Sequence, residues 1–352
     1  MIPGGTFPRT IERRPDWTYP PPELSSPSMN KLRIYVDFAT PPEILEMLRA
    51  GTRGHDLILP HTPVTSVLAK AEWDPQFATA EVAFGQPDTE AIVRAPGLRW
   101  VHVSSSGITR YDQPDFRALA AGRGLVVTNS AEVYGEACAE HALSFMLAQT
   151  RQLPVALRTK VANGTAAWNE LRSSCLPLRG QSVLILGYGT IGRRLAELLQ
   201  PFDVKIFAYR RKARGDESVP VISGDRLSAA LAEADHVVNI LPDSLETRRF
   251  FNADRFSACR PGAIFYNIGR GSTVDQDALL AQLRSGHLGA AWLDVTDPEP
   301  LPDGHPLWRE PGCYITPHIA GGHAGEAKTL VRHFLANFRR FMAGEPLLDR
   351  VI

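Results

Sequence analysis

The sequence predicts an α/β protein with doubly wound parallel sheets, divided into two domains. Three observations carry this. The chain has 352 residues, about two domains at roughly 150 residues each. Short strand-like apolar runs alternate with helical runs in two successive regions, and such alternation gives parallel sheets with helices on both faces. A glycine-rich turn, Gly187–Gly192, follows one of these runs and opens a helix.

Residues 1–30 hold seven prolines and little periodic hydrophobicity, which reads as a disordered tail, with Met29 as an alternative start. Strand candidates follow at Leu32–Phe38, Glu81–Phe84, Leu98–Val103 and Leu125–Thr128, with helical stretches such as Pro114–Ala121 between them. Glu136–Leu153 reads as one long helix with Ala139, Leu143, Leu147 and Ala148 on one side. Pro154–Leu178 shows no clear period and reads as a connecting arm. The second region offers strands at Ser182–Leu186, Val204–Tyr209, His236–Leu241, Ala263–Ile268, Leu288–Val295 and Cys313–Thr316. The helix after the glycine turn puts Ile191, Leu195, Leu198 and Leu199 on one face, and Pro201 stops it. Asp275 is placed to cap a helix that buries Leu279, Leu280 and Leu283 and ends at Gly286. The last helix, about 325–343, carries Leu330, Phe334, Phe338 and Phe341.

Lys+Arg and Asp+Glu both number 38, so the formal net charge is zero. That argues against nucleic acid or a membrane surface as the main partner. No apolar run approaches the roughly 18 residues of a membrane span. Cys138, Cys175, Cys259 and Cys313 form no CxxC pair and read as free thiols of a reducing cytoplasm. The ten histidines show no zinc spacing, so no metal is expected.

Gly187-Tyr188-Gly189-Thr190-Ile191-Gly192 is a GxGxxG sequence between a buried strand and an amphipathic helix. Gly187 allows the tight turn, Gly189 lets the backbone approach a pyrophosphate, and Gly192 permits close helix–strand packing. The helix N-terminus at Thr190-Ile191 offers N–H groups to the phosphates. About 20 residues on, an NAD site carries an acid for the ribose 2′-hydroxyl. Here the strand ends Tyr209-Arg210-Arg211-Lys212. Arg210, with Arg211 beside it, suits a 2′-phosphate, so NADP(H) is preferred and NAD(H) is the alternative. A solvated basic loop is the competing reading.

Three further pieces lie just past strand ends, where open α/β sheets place ligands: Asn267–Gly271 around Arg270, Pro298-Glu299-Pro300, and Thr316-Pro317-His318-Ile319. Together with LRWVHVSSSGITRYD (98–112), NSAEVYGEACAEHAL (129–143), NIGRGSTVDQDAL and LDVTDPEPLPDGHPLW, they make the chain resemble the D-isomer-specific 2-hydroxyacid dehydrogenases over most of residues 32–350. LDVTDPEPLP is most similar to the glyoxylate/hydroxypyruvate reductase branch.

The resemblance implies two Rossmann-like domains with the active site in the cleft between them. Residues 31–129 plus 320–352 would form the substrate domain, and 130–319 the dinucleotide-binding domain, with a dimerisation arm at about 136–178 and a homodimer. It implies a catalytic set of Arg270, Glu299 and His318. Histidine suits the proton because its unperturbed pKa is about 6.5. Glu299 would orient the ring, and Arg270 would bind the substrate carboxylate and carbonyl. The backbone of Ser105, Ser106 and Gly107 would hold the carboxylate. Leu241, Pro242, Ile268, Gly269, Asp294 and Gly321 would line the cofactor. The implied reaction is NAD(P)H-dependent reduction of a small 2-oxo acid to the D-2-hydroxy acid. The alternatives are a dinucleotide-sensing corepressor on the same fold, or phosphoglycerate or formate dehydrogenation. His102, His141, His236 and His305 read as structural or surface groups. Two departures bear on substrate identity: Gly135 stands where many relatives carry threonine, and the loop Ser104-Ser105-Ser106 is unusual.

Overall fold

The computed structural model describes residues 31–60, 62 and 73–352. The proline-rich tail expected over 1–30 lies outside the described residues. The compact unit Leu32–Ile352 contains two sheets whose named strands all pair in parallel.

The first sheet comprises β1 (Arg33–Val36), β2 (Asp56–Ile58), β3 (Val82–Gly85), β4 (Trp100–Val103) and β5 (Val126–Thr128), in the order β2-β1-β3-β4-β5. The second comprises β6 (Ser182–Leu186), β7 (Lys205–Tyr209), β8 (Val221–Ile222), β9 (His236–Asn239), β10 (Ala263–Asn267), β11 (Leu288–Leu293) and β12 (Cys313–Ile315), in the order β12-β11-β10-β9-β6-β7-β8. Each sequence-predicted strand is present: Ser182–Leu186 keeps its bounds, Glu81–Phe84 shifts by one to Val82–Gly85, and the others are trimmed at their ends. The sequence missed β2 and β8. Both are edge strands of two or three residues that are defined by their pairing with β1 and β7.

Two reversals of strand order matter for function, because such switch points open crevices at the carboxyl ends of strands. One lies between β1 and β3, the other between β6 and β9.

The long helix runs over Ala131–Thr150, five residues earlier at its start than the sequence suggested. Its first turn buries Val133, Tyr134 and Gly135 without an evident apolar period. Gln152, with φ at 53°, breaks it from a short helix, Leu153–Arg158. The expected irregular arm therefore holds two helices, the second at Ala166–Ser174. The long helix packs along Thr190–Leu199, and Arg194 forks onto Glu136 at 2.6 and 3.0 Å. Asp275 caps Gln276–Arg284 by accepting from the Ala278 N–H.

The last helix, Glu326–Ala343, returns to the first sheet. The Phe334 ring stacks on Phe84 at 4.4 Å and on Trp100 at 5.3 Å. Beyond it, Val127 donates to the carbonyl of Ile352, so the C-terminus is tied to β5. Among the described residues, no helix is long and apolar enough to cross a membrane.

Phe334 is fully buried between two aromatic rings from neighbouring strands. Phe334→Ala should therefore cost about 3–5 kcal/mol of stability, as large core truncations do. Chemical denaturation of the purified variant checks this, and a loss below about 1 kcal/mol would contradict the packing described.

Candidate active site

The residues singled out in the sequence lie at the carboxyl ends of β4, β6, β7, β9, β10, β11 and β12, and in the loops that follow them. After β6, Gly187 has φ at 100°, and a Cβ there would stand 2.7 Å from the Ile240 carbonyl oxygen. A Cβ on Gly192 would stand 2.3 Å from the Gly187 oxygen, so the helix must sit on the turn. Gly189, at the helix N-cap, has open space where a Cβ would go. This is a cradle that a pyrophosphate fits: closed behind by glycine packing and open in front at a helix N-terminus. Thr190 turns its methyl toward the long helix, where a Cβ on Gly135 would come within 2.7 Å of it. Ile191 is half-buried against the core.

Ile268 is buried, and its N–H donates to the Asn239 carbonyl at 3.2 Å. Gly269 lies on Leu241, and a Cβ on this glycine would stand 2.7 Å from the Leu241 oxygen. Pro242 is exposed beside them. Gly321 packs on Tyr134, where a Cβ would meet the ring at 2.8 Å.

Arg210 follows β7 and is not a solvated side chain. It is 16% exposed, and its Nη1 donates to Glu217 at 2.6 Å. Arg211 is exposed and pairs with Glu246.

The glycine after Ser105-Ser106 brings the two sheets' loops into contact. A Cβ on Gly107 would stand 1.9 Å from Nη2 of Arg270, so backbone and guanidinium touch face to face. Among the described residues the N–H groups of Ser105, Ser106 and Gly107 donate no hydrogen bond. N–H groups without partners beside a guanidinium are the donors an anion needs. Burial lowers the pKa of Arg270 from its ordinary value, opposed by the negative charges of Glu299 and Asp243. The group stays a cation at any physiological pH.

His318 has φ at 52°, and its Nδ1 lies 2.5 Å from Glu299 Oε1. With Glu299 accepting from Nδ1–H, Nε2 is the nitrogen left for proton exchange. The loop that carries His318 hangs on Asp294. This carboxylate is 1% exposed and accepts from Thr316 Oγ1 at 2.6 Å, Ile319 N at 2.9 Å and Ala320 N at 2.8 Å. The Asp294 carbonyl takes the His318 N–H at 2.9 Å.

Arg270, Gly107, Glu299, His318 and Asp294 thus belong to one connected region, and the glycine cradle lies across β9 from β10. The residue range 143–320 matches the family profile described as "D-isomer specific 2-hydroxyacid dehydrogenase, NAD binding domain". The chain belongs to the D-isomer specific 2-hydroxyacid dehydrogenases.

It is 34% identical to the human glyoxylate reductase/hydroxypyruvate reductase over 227 residues, which is 64% of this chain and 69% of that one. It is 32% identical to a D-3-phosphoglycerate dehydrogenase of Mycobacterium leprae over 268 residues, 75% of this chain and 49% of that one. A crystal structure of an NADPH-dependent glyoxylate/hydroxypyruvate reductase from Sinorhizobium meliloti, in complex with NADP and malonate, superimposes with a TM-score of 0.69 at 26% identity. The match covers 92% of this chain and 97% of that one. As a 2-hydroxyacid dehydrogenase the chain is an NAD(P)-dependent oxidoreductase of small 2-oxo and 2-hydroxy acids.

Several residues that contact these groups were not singled out in the sequence. His141 reads as structural or surface from sequence. In the fold its Nε2 stands 3.4 Å from Thr316 Oγ1 and 3.7 Å from Asp294. Burial lowers its pKa, with Asp294 opposing. Its helical spacing from Tyr134 and Cys138 was the available signal. Gln86, after β3, had none: its Nε2 donates to Ser105 Oγ at 2.7 Å, and Asn129 Nδ2 donates to the Ser106 oxygen at 2.6 Å. His102 and His236 are buried, as expected of structural groups, and His305 accepts from Leu307 N in a surface turn.

Beneath Gln86 lies Asp37, 2% exposed, whose Oδ2 accepts from Gln86 N at 2.7 Å while Oδ1 has no partner. Burial pushes its carboxyl up to about 7, against the pull of the Gln86 N–H and the Arg110 charge. The native state therefore holds a proton that the unfolded chain releases near pH 4. Stability should fall as pH rises from about 4 to 7, by up to about 4 kcal/mol. Asp37→Asn should flatten this slope, with the melting temperature raised at pH 8 relative to wild type and little changed at pH 4. Equal shifts at both pH values would contradict the assignment.

Proposed function

We propose that the chain reduces a small 2-oxo acid of the glyoxylate/hydroxypyruvate type to the D-2-hydroxy acid with NADPH, and that His318 is the proton donor. The Glu299–His318 pair, held beside the Arg270–Gly107 contact, is the observation that carries this reading.

A nicotinamide cofactor in the glycine cradle would supply the hydride. The chain's own residues do the rest. Arg270 and the N–H groups of Ser105, Ser106 and Gly107 bind the substrate carboxylate, which fixes the carbonyl carbon in place. His318 Nε2 gives its proton to the carbonyl oxygen as that oxygen gains charge. Glu299 accepts from Nδ1–H and fixes the orientation of the ring. Asp294 keeps the His318 loop in register, rather than touching the reacting atoms. Gly187, Gly189, Thr190, Ile191 and Gly192 would hold the pyrophosphate, with Leu241, Pro242, Ile268, Gly269 and Gly321 lining the cofactor. Arg210 and Arg211 would face a 2′-phosphate.

Residues 31–129 with 320–352 would act as the substrate domain and 130–319 as the cofactor domain. The arm exposes Leu153, Val155, Leu157 and Leu176. Such an apolar surface supports a twofold homodimer through about 136–178. The cysteines, free in the fold, fit a reducing cytoplasm.

Initial rates should show reduction of glyoxylate or hydroxypyruvate at least tenfold above 3-phosphoglycerate or formate oxidation. They should also show a kcat/KM for NADPH above that for NADH. Absence of turnover on every acid would favour the sensing role. His318→Ala should bind cofactor almost as wild type while turnover falls by roughly 10²–10⁴. Turnover near normal at neutral pH would remove His318 as proton donor.

A further inference from the structure

The basic stretch after β7 is tied down through one carboxylate and its neighbour. Glu217 Oε1 accepts from Arg210 Nη1 at 2.6 Å and from the Arg214 N–H at 2.7 Å, and Oε2 accepts from the Gly215 N–H at 2.9 Å. The carboxylate is 5% exposed. Its next neighbour Ser218 meets the hydroxyl of Tyr188 at 2.9 Å. Tyr188 is the buried second residue of the glycine turn. Gly187 N also donates to the Tyr209 carbonyl, so the glycine turn and the arginine are fixed to each other.

We infer that Glu217 is a positioning residue for cofactor choice: it holds Arg210 so that the rest of its guanidinium edge is ready for a 2′-phosphate. This role rests on the NADPH reading above.

Geometry and charge both favour it. Glu217 engages Nη1 alone. Among the described residues Nε and Nη2 of Arg210 make no hydrogen bond, and that pair of donors is the fork that fits a phosphate. A free arginine side chain must lose its rotamers on binding, whereas one already held loses less. Three donors already occupy Glu217, two on Oε1 and one on Oε2, and its charge is offset by a guanidinium and two N–H groups. These contacts, with the Arg214 N–H foremost, lower its pKa to about 2. A carboxylate so engaged does not act as the ribose-binding acid of an NAD site. The adjacent acid, Asp216, is 59% exposed and 4.0 Å from Arg210.

The test is a double-mutant cycle on the whole chain with Arg210→Ala, Glu217→Gln and the double variant, read by calorimetric Kd for NADP⁺ and NAD⁺ and by steady-state KM and kcat. Glu217→Gln keeps the size of the side chain and removes its charge. We expect the preference for NADP⁺ over NAD⁺ to fall roughly tenfold in Arg210→Ala and about three- to tenfold in Glu217→Gln. In Glu217→Gln the change should appear in Kd and KM rather than in kcat. In the Arg210→Ala background, Glu217→Gln should change the preference less than twofold, because it acts through Arg210. A preference unchanged or raised by Glu217→Gln, or an equal loss in both backgrounds, overturns the inference. A wild type that prefers NAD⁺, or an Arg210→Ala variant with unaltered preference, overturns the NADPH reading instead. Should Glu217→Gln fail to fold, Glu217→Asp, one methylene shorter, carries the same expectation through its retreat from Arg210.

Discussion

The arrangement at the centre of the molecule depends on the need to satisfy one buried carboxylate. Asp294 lies at the end of β11 almost out of contact with water. An ionised group there must be met by donors, because an unpaired buried charge is far costlier than a paired one. Its donors all come from one short stretch, Thr316–Ala320. The stretch is thereby wrapped around the carboxylate, and His318 sits in the middle of the wrap with a left-handed backbone. That conformation costs about 1–3 kcal/mol for a residue with a Cβ, and it persists where surrounding bonds over-determine it. Glu299, from the loop that follows β11, then meets a ring that has already been aimed.

A second constraint acts between the sheets. Parallel strands put all their carboxyl ends on one edge, and each sheet therefore presents its loops in a single row. The rows meet where Gly107 lies against Arg270. The first sheet contributes bare backbone N–H groups, and the second contributes the cation. The long helix Ala131–Thr150 starts just after β5 and packs on the helix that follows the glycine turn, so it spans both rows. Tyr134 on that helix reaches the Ser104 carbonyl at 2.8 Å and Glu326 of the last helix at 3.1 Å.

Much of this was legible in the sequence. Ten of the twelve strands announced themselves by apolar runs, and the glycine turn by its place between strand and helix. Arg270, Glu299 and His318 were legible because each follows a strand end within a distinctive local sequence. The residues that support them were not. Asp37 and Gln86 touch only through the pairing of β1 with β3, a separation of 49 residues. Glu217 meets Arg210 only because the loop between them folds back, and a carboxylate seven residues from an arginine carries no signal by itself. The edge strands β2 and β8 are strands only through their pairing with β1 and β7. In each case the missing information is long-range pairing or loop shape, which hydrophobic period does not encode.

The contact between Gly135 and Thr190 has a bearing on how this protein tolerates change. The two positions share one small volume at the crossing of two helices, and a methyl on one side already fills it. This chain places its bulk on the helix opposite the glycine. Either position varied alone is penalised, by a clash if Gly135 grows or by a void if Thr190 shrinks. Varied together in opposite directions, they conserve volume. A one-residue-at-a-time mutational scan would record two rigid sites, and a pairwise scan would record one shared degree of freedom.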